Sequence, residues 1–452
     1  MAQKRLVILG GGESGIGSAL LAQAKGYDVF LSDSGLIKEH YQAMLRDAGV
    51  PFEHNGHTEA LILNADEVMK SPGIPDESPI VAHIIAHRIP IISEIEFASR
   101  FTQARMVCIT GSNGKTTTTS LIYYILRNAG LNVGLAGNIG RSLALQILED
   151  PKDIYVIELS SFQLDNMFDF RANVAVLMNI TPDHLDRYNF NMQHYVDSKM
   201  RILQNQTPSD AFIYWAQDEH IPAELARRGL GAHSSGTVDQ ILPPTPSSMP
   251  PREGHPTLCP FTDADFATLG LTFSQIGNHN KRNALAAYHA AKALGVDETV
   301  IRQSLQSFPG VEHRLEHVAV AGGVTYINDS KATNVDACYV AMQAVEAPVI
   351  LIIGGKDKGN DYTVLHDIVR QKCRGLIYLG ADNAKLHASF DHLGLPIADT
   401  HSMADCVRAC HDMAHPGDTV LLSPCCASFD LFHNMEDRGE QFKQQVASLP
   451  NP

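Results

Sequence analysis

The chain has 452 residues, enough for about three domains at the usual size of roughly 150 residues each. Its 35 Lys and Arg stand against 50 Asp and Glu, a net charge of −15, which argues against a broad electrostatic surface for nucleic acid or acidic membranes. No apolar run approaches the roughly 18 residues of a membrane span, and the opening segment MAQKRLVILGGG has no apolar stretch leading to a cleavage site, so neither membrane insertion nor secretion is expected.

Taken in chain order, apolar β-branched runs alternate with helical stretches, the pattern of parallel sheets covered by helices on both faces. Arg5 to Leu9 predicts a buried strand, Ser18 to Lys25 a helix, and Tyr27 to Leu31 a second strand; Ile91 begins the exit from this unit. Met106 to Thr110 opens a new unit, followed by a long helix through Arg127 and strands at Ile154 to Ile157 and Val174 to Met178. From about His233 to Pro260 the text turns to Pro, Ser, Gly and His, which predicts a long surface excursion. A helix follows over Asn280 to Leu294. Phe308-Pro309-Gly310 reads as a linker, after which strands restart at Val324 to Ile327, Val349 to Ile353, Leu376 to Leu379 and Thr419 to Leu422. The expectation is an α/β chain of three domains: a Rossmann-like domain over 1–96, a central P-loop ATPase-like parallel sheet over 97–308, and a second Rossmann-like domain over 309–452.

Gly111-Ser112-Asn113-Gly114-Lys115-Thr116 is the most informative stretch. It joins an apolar strand to a helix, where converging backbone N–H groups and the helix dipole favour an anion. The glycines let the main chain wrap phosphate oxygens, Lys115 supplies a point charge to terminal phosphates, and the Thr116 hydroxyl, with Thr117 beside it, can reach Mg²⁺. The spacing is G-x-x-G-K-T, shorter than the general GxxxxGK[ST] motif, since Ile109 stands five residues before Gly114. The bland alternative is a helix-capping turn with an exposed lysine.

Gly10-Gly11-Gly12-Glu13-Ser14-Gly15 satisfies G-x-G-x-x-G after a strand, and Asp33 ends the next strand. Without context this is a dinucleotide fingerprint with an acidic residue for a ribose, so a dehydrogenase is a competing reading, although no hydride-transfer site stands out elsewhere. Glu158 ends one strand and His184 follows another, positions that place ligands at the carboxyl edge of an open α/β sheet. Oxygen donors such as Glu158 and Thr116 suit a hard cation; on chemistry alone His184 suits it less well. The eight cysteines lack CxxC spacing and are too few to staple such a chain, which fits a reducing cytoplasm.

Together with Gly137-Asn138-Ile139-Gly140, Glu158-Leu159-Ser160-Ser161, Asn179-Ile180-Thr181-Pro182-Asp183-His184, Gly277-Asn278-His279-Asn280-Lys281-Arg282-Asn283 and His313-Arg314, the phosphate loop resembles that of the Mur ligases of peptidoglycan synthesis over nearly the whole chain. Asn328 to Asn334 and Leu422 to Asp430 resemble the D-glutamate-adding branch, and the Asp-Asn-Pro-Arg signature of the diaminopimelate- or lysine-adding branch is absent. The resemblance implies ATP, two Mg²⁺, UDP-N-acetylmuramoyl-L-alanine and D-glutamate as ligands of a monomer. ATP falls to Gly111, Ser112, Asn113, Gly114, Lys115, Thr116 and Thr117, with Asn280 and Asn283 toward adenine and Arg314 and Asp329 toward phosphate and ribose. The metals fall to Thr116, Glu158, His184 and Lys199, the last as a carbamate, with Lys115, His184 and Lys199 the catalytic set. The UDP-sugar falls to Ser14, Gly15, Asp33, Ser34, Ser71 and Asn138, and the amino acid to Lys331, Thr333, Lys358, Ser428 and Phe429. Ser34-Gly35 follows Asp33, and a diphosphate or uracil contact from elsewhere, such as Lys38, is also open. A folylpolyglutamate synthase-like ligase shares this chemistry but lacks such an N-terminal nucleotide domain.

Overall fold

A computed structural model describes residues 3–183, 185–230, 255–346, 348–357 and 359–449. They form two compact units, one running to Phe273 and taking in Lys281–Phe308, the other combining Ser274–Asn280 with the chain from Pro309 onward.

The first unit contains two all-parallel sheets. Strands β1 (Arg5–Leu9), β2 (Asp28–Ser32), β3 (Phe52–Glu53), β4 (Glu67–Lys70) and β5 (Ile91–Ile92) lie in the order β3-β2-β1-β4-β5. Strands β6 (Arg105–Thr110), β7 (Val133–Gly137), β8 (Ile154–Glu158), β9 (Val174–Leu177), β10 (Ala211–Trp215) and β11 (Thr257–Phe261) lie in the order β11-β10-β9-β6-β8-β7. In each sheet the strand order reverses beside the strand that feeds a glycine-rich loop, β1 or β6, and such a switch point opens a crevice at the carboxyl edge. The strands read as continuous apolar runs because helices cover both faces: Leu6 to Leu9 and Val107 to Ile109 are fully buried. One apolar cluster spans both sheets, from Leu6 and Phe97 to Tyr155 and Phe212.

The second unit has one mixed sheet: β12 (Glu316–Ala321), β13 (Val324–Asn328), β14 (Val349–Gly354), β15 (Cys373–Leu379), β16 (Ile397–Thr400) and β17 (Thr419–Cys425), ordered β12-β13-β17-β14-β15-β16. Only β12 is antiparallel, folding back on β13.

Three local expectations need correction. The first helix begins at Glu13, not Ser18, and runs through Gly15 and Gly17. A Cβ at Gly15 would stand 1.8 Å from the Gly10 carbonyl oxygen, so close approach of helix to loop requires glycine there, and packing outweighs its poor helix propensity. The expected excursion over 233–260 lies outside the described residues up to 254, but its end forms β11, an edge strand in which Pro260 is tolerated because only β10 pairs with it. Strand β12 was not anticipated; its residues are largely half-exposed, so they lack the apolar run that marks a buried strand.

The helix Asn278–Ala293 carries a half-buried titratable group, His289, whose ring stacks on Phe261 and whose Nε2 is buried. Burial pulls its pKa from 6.5 down to about 4, against a smaller opposing pull from Asp265. The folded state therefore takes up this proton later than the unfolded chain, so its contribution is complete above pH 6.5 and is lost as pH falls toward 4. His289→Phe is expected to remove up to about 3 kcal/mol of that acid sensitivity. Urea unfolding midpoints of both proteins near neutrality and near pH 5 check it; parallel shifts in the two would contradict it.

Candidate active site

The turn from β6 into the helix Lys115–Asn128 is held from one side by the chain leaving β9. Ser112 N–H donates to the Asn179 carbonyl at 2.9 Å, Asn113 N–H to Asn179 Oδ1 at 2.8 Å, and Thr181 N–H to Ser112 Oγ at 2.9 Å. The Ser112 hydroxyl also lies 2.8 Å from the Thr181 carbonyl and 3.0 Å from Tyr195 OH. Gly114 takes φ +85° and abuts Asn283, whose Oδ1 would lie 2.5 Å from a Cβ there. These bonds fix the loop's path, with Thr116 and Thr117 buried at the start of a helix whose first N–H groups point toward it.

Two lysines meet at one carbonyl. Lys115 Nζ donates to the Gly111 and Ser112 carbonyls at 2.7 and 2.9 Å, and Lys199 Nζ donates to the same Gly111 carbonyl at 2.9 Å. Lys199, on the helix Met192–Met200, is only 2% exposed, and its amine sits 4.5 Å from the centre of the Tyr195 ring. Burial, and secondarily the Lys115 charge, hold its pKa well below the usual lysine range, which favours a neutral amine.

Glu158 closes β8 level with Ile109 of β6. Asn138 anchors it twice, the backbone N–H donating to the Glu158 carbonyl and Nδ2 to Oε1, both at 2.9 Å. Glu158 is 1% exposed, and its Oε2 is buried with no hydrogen-bond partner among the described residues. A buried carboxylate oxygen left over beside a hydroxyl-bearing phosphate loop fits a hard cation, so the residues present suit Mg²⁺. Asn138, expected at the UDP-sugar, also bonds this carboxylate. His184 lies outside the described residues.

At the N-terminal loop, both Asp33 oxygens accept backbone N–H groups, from Gly11 and Gly35, so this side chain ties the loop to the end of β2. Ser71 Oγ is buried without a hydrogen-bond partner among the described residues and would lie 2.5 Å from a Cβ on Gly10. Ser34 is exposed. Glu94 is a fully buried carboxylate that accepts from Ser142 Oγ and Ala144 N–H, while Glu13 accepts from Ser142 N–H. Burial raises the Glu94 pKa. Through Glu13 the start of the first helix is linked directly to the chain that follows Asn138.

The second unit groups its own candidates. Asp329 ends the turn after β13, accepts from Leu315 N–H at 3.2 Å and Ser423 Oγ at 2.9 Å, and is pushed up to about 7 by burial despite the nearby Arg314 charge. Arg314 Nε is buried without a hydrogen-bond partner among the described residues. Lys331 and Thr333 follow on one loop, Lys331 N–H donating to the His313 carbonyl at 3.1 Å. Ser428 is buried and Phe429 is 65% exposed on the loop after β17. Asn280 is buried and donates Nδ2 to the Ile276 carbonyl at 2.8 Å. Lys358 lies outside the described residues.

A glycine-rich turn with paired lysines beside a buried carboxylate, at the carboxyl edge of a parallel sheet, suits a nucleotide-dependent enzyme, and the chain belongs to the Mur ligase family. Family models match over residues 5–80 (MurD N-terminal domain), 109–291 (Mur ligase middle domain) and 313–426 (Mur ligase, glutamate ligase domain). Among its relatives, the UDP-N-acetylmuramoylalanine--D-glutamate ligase of Bacteroides thetaiotaomicron is 55% identical, the match covering 99% of this chain and 100% of that one. The protein of the same name from Porphyromonas gingivalis is 52% identical over 98% of each chain. In fold, the chain is similar to UDP-N-acetylmuramate-alanine ligase MurC of Thermotoga maritima, with a TM-score of 0.59 and 19% identity over 98% of this chain and 99% of that one.

Proposed function

We propose that this chain joins D-glutamate to UDP-N-acetylmuramoyl-L-alanine at the expense of ATP, as a monomer in the cytoplasm, in the synthesis of peptidoglycan precursors. The observation that carries this reading is the Gly111 turn, where the Lys115 and Lys199 amines converge on one carbonyl and the adjacent strand end presents a buried Glu158 oxygen. Whole-length identity of 55% to a D-glutamate ligase supports the choice of amino acid over the folylpolyglutamate synthase-like alternative.

A carboxylate is a poor electrophile, so joining it to an amine in water requires activation. The L-alanine carboxylate attacks the γ-phosphorus of ATP, ADP leaves, and an acyl phosphate forms. The D-glutamate amine then attacks the acyl carbon, a proton leaves the nitrogen, and phosphate is expelled. Lys115 meets the charge of the transferring phosphoryl group, and the amides of the Ser112 to Thr116 turn cradle the β- and γ-oxygens. Asn283 stands at the loop's flank and, with Asn280, orients the base, while Arg314 and Asp329 keep the phosphate and ribose roles. Thr116 and Glu158, with His184 and a carbamate on Lys199, are the residues that would hold Mg²⁺, whose charge would neutralise phosphate oxygens when bound. A neutral, buried Lys199 amine can add CO₂ to give an anionic carbamate and a proton. Ser14, Gly15, Asp33, Ser34, Ser71 and Asn138 receive the UDP-sugar; Lys331, Thr333, Lys358, Ser428 and Phe429 receive D-glutamate. All eight cysteines are free, which supports a reducing compartment.

Phosphate release measured across a matrix of UDP-sugar acceptors and amino acids tests this reading. Turnover is expected only when UDP-N-acetylmuramoyl-L-alanine and D-glutamate are both present. Release that ignores the amino acid, or prefers a different one, would refute the assignment.

A further inference from the structure

Arg438 lies in the first turn of the helix Met435–Ala447 and is 1% exposed. Its fork reaches two different turns. Nε donates to Ser330 Oγ at 2.9 Å, Nη2 to the Ser330 carbonyl at 2.8 Å, and Nη1 to the Cys426 carbonyl at 3.1 Å. Ser330 Oγ in turn donates to the Met435 carbonyl at 2.7 Å, closing a ring back onto the same helix turn. A third segment passes the fork, since a Cβ on Gly355 would lie 3.3 Å from Nη1. The helix start is therefore bolted through one guanidinium to the roots of the loops that carry Lys331 and Thr333 on one side and Ser428 and Phe429 on the other.

All three acceptors are uncharged. The carboxylates whose fields reach Arg438 are Asp430, whose Oδ2 accepts from Ala381 N–H while its Oδ1 is buried without a hydrogen-bond partner among the described residues, and Asp329, which accepts from Ser423 and Leu315. Burial lowers the guanidinium pKa to about 10, so it stays charged at neutral pH. Neutral donors could tie the same carbonyls without the cost of desolvating a charge. What the guanidinium adds is a fixed fork geometry and a positive field beneath both loops.

We propose that Arg438 is a positioning residue for the amino-acid substrate: it sets the spacing of the Ser330 and Cys426 turns and lends their loops a buried positive charge that favours a substrate with two carboxylates. The inference rests on the reading that these loops receive D-glutamate. The function of the site comes from the loop residues; Arg438 acts through them.

Arg438→Met and Arg438→Lys test it, with thermal melting to establish folding. For the Met variant the KM for D-glutamate is expected to rise about tenfold or more, with the KM values for ATP and the UDP-sugar within about twofold. The preference in kcat/KM for D-glutamate over D-glutamine is expected to shrink, and the Lys variant, which keeps the charge, to retain more of it. A purely structural role would raise all three KM values together or leave the preference unchanged, and either result overturns the proposal. If the Met variant does not fold, the Lys variant decides by the same split between D-glutamate and the other two substrates. Wild-type enzyme inactive with D-glutamate would overturn the ligase reading and this proposal with it, whereas an active wild type and an unmoved D-glutamate KM in a folded variant overturn only the role of Arg438.

Discussion

Lys115→Ala is expected to lower kcat by about three orders of magnitude while moving the KM for D-glutamate by no more than about twofold. The reasoning starts from the loop. Its shape does not depend on the Lys115 side chain alone, because Ser112 and Asn113 are pinned by Asn179 and Thr181, and Gly114 packs against Asn283. Removing Lys115 therefore deletes a charge from an otherwise intact cradle. That charge is worth most when the γ-phosphoryl group is in transit, which places the loss in kcat rather than in ground-state binding. Lys358→Ala provides the contrast: a cation assigned to the D-glutamate carboxylates is expected to raise the KM for D-glutamate chiefly. Initial rates of ADP formation with each substrate varied in turn separate the two. Equal loss of D-glutamate affinity in both variants would contradict the division of roles.

How much was legible beforehand follows from what each residue type advertises. Strands β1, β6, β14 and β17 are buried on both faces and announce themselves as apolar runs, so the alternating α/β order could be read off directly. Half-exposed β12 and β16 carry no such run. The Gly111 to Thr116 turn was legible because phosphate binding by backbone amides demands glycines and a lysine at a helix start. Lys199 was different: a helical lysine reads as solvated, and only the likeness to the Mur ligases singled it out, whereas the fold buries it against Gly111 and Tyr195. Asn138 was assigned to the UDP-sugar by likeness; that its amide also bonds Glu158 is a contact between neighbouring strand ends that no local pattern encodes. Arg438 and Glu94 went unread, and Asn179 was named only as part of a family segment, for the same reason. Their partners lie 108, 48 and 66 residues away along the chain, and sequence periodicity is blind to contacts of that range.

Lys199 carries the second large effect. Lys199→Ala is expected to cost about two orders of magnitude or more in kcat, with part of the activity returned by acetate or another short carboxylate. The substitution removes the side chain that reaches the Gly111 carbonyl and leaves a cavity beside Tyr195, so a small carboxylate has room to enter. Lys199→Met separates volume from chemistry: it fills the cavity, should melt close to the wild type, and is expected to be inactive with or without acetate. Carbamate formation has its own readout, independent of turnover. Wild-type protein equilibrated with ¹³C-bicarbonate should show a carbamate carbon resonance that both variants lack. A wild type without that resonance, together with an Ala variant that ignores acetate, would mean that the buried amine acts as an amine. Its bond to the Gly111 carbonyl, shared with Lys115, would then be its function: fixing the turn from below while the other lysine swings to the phosphate.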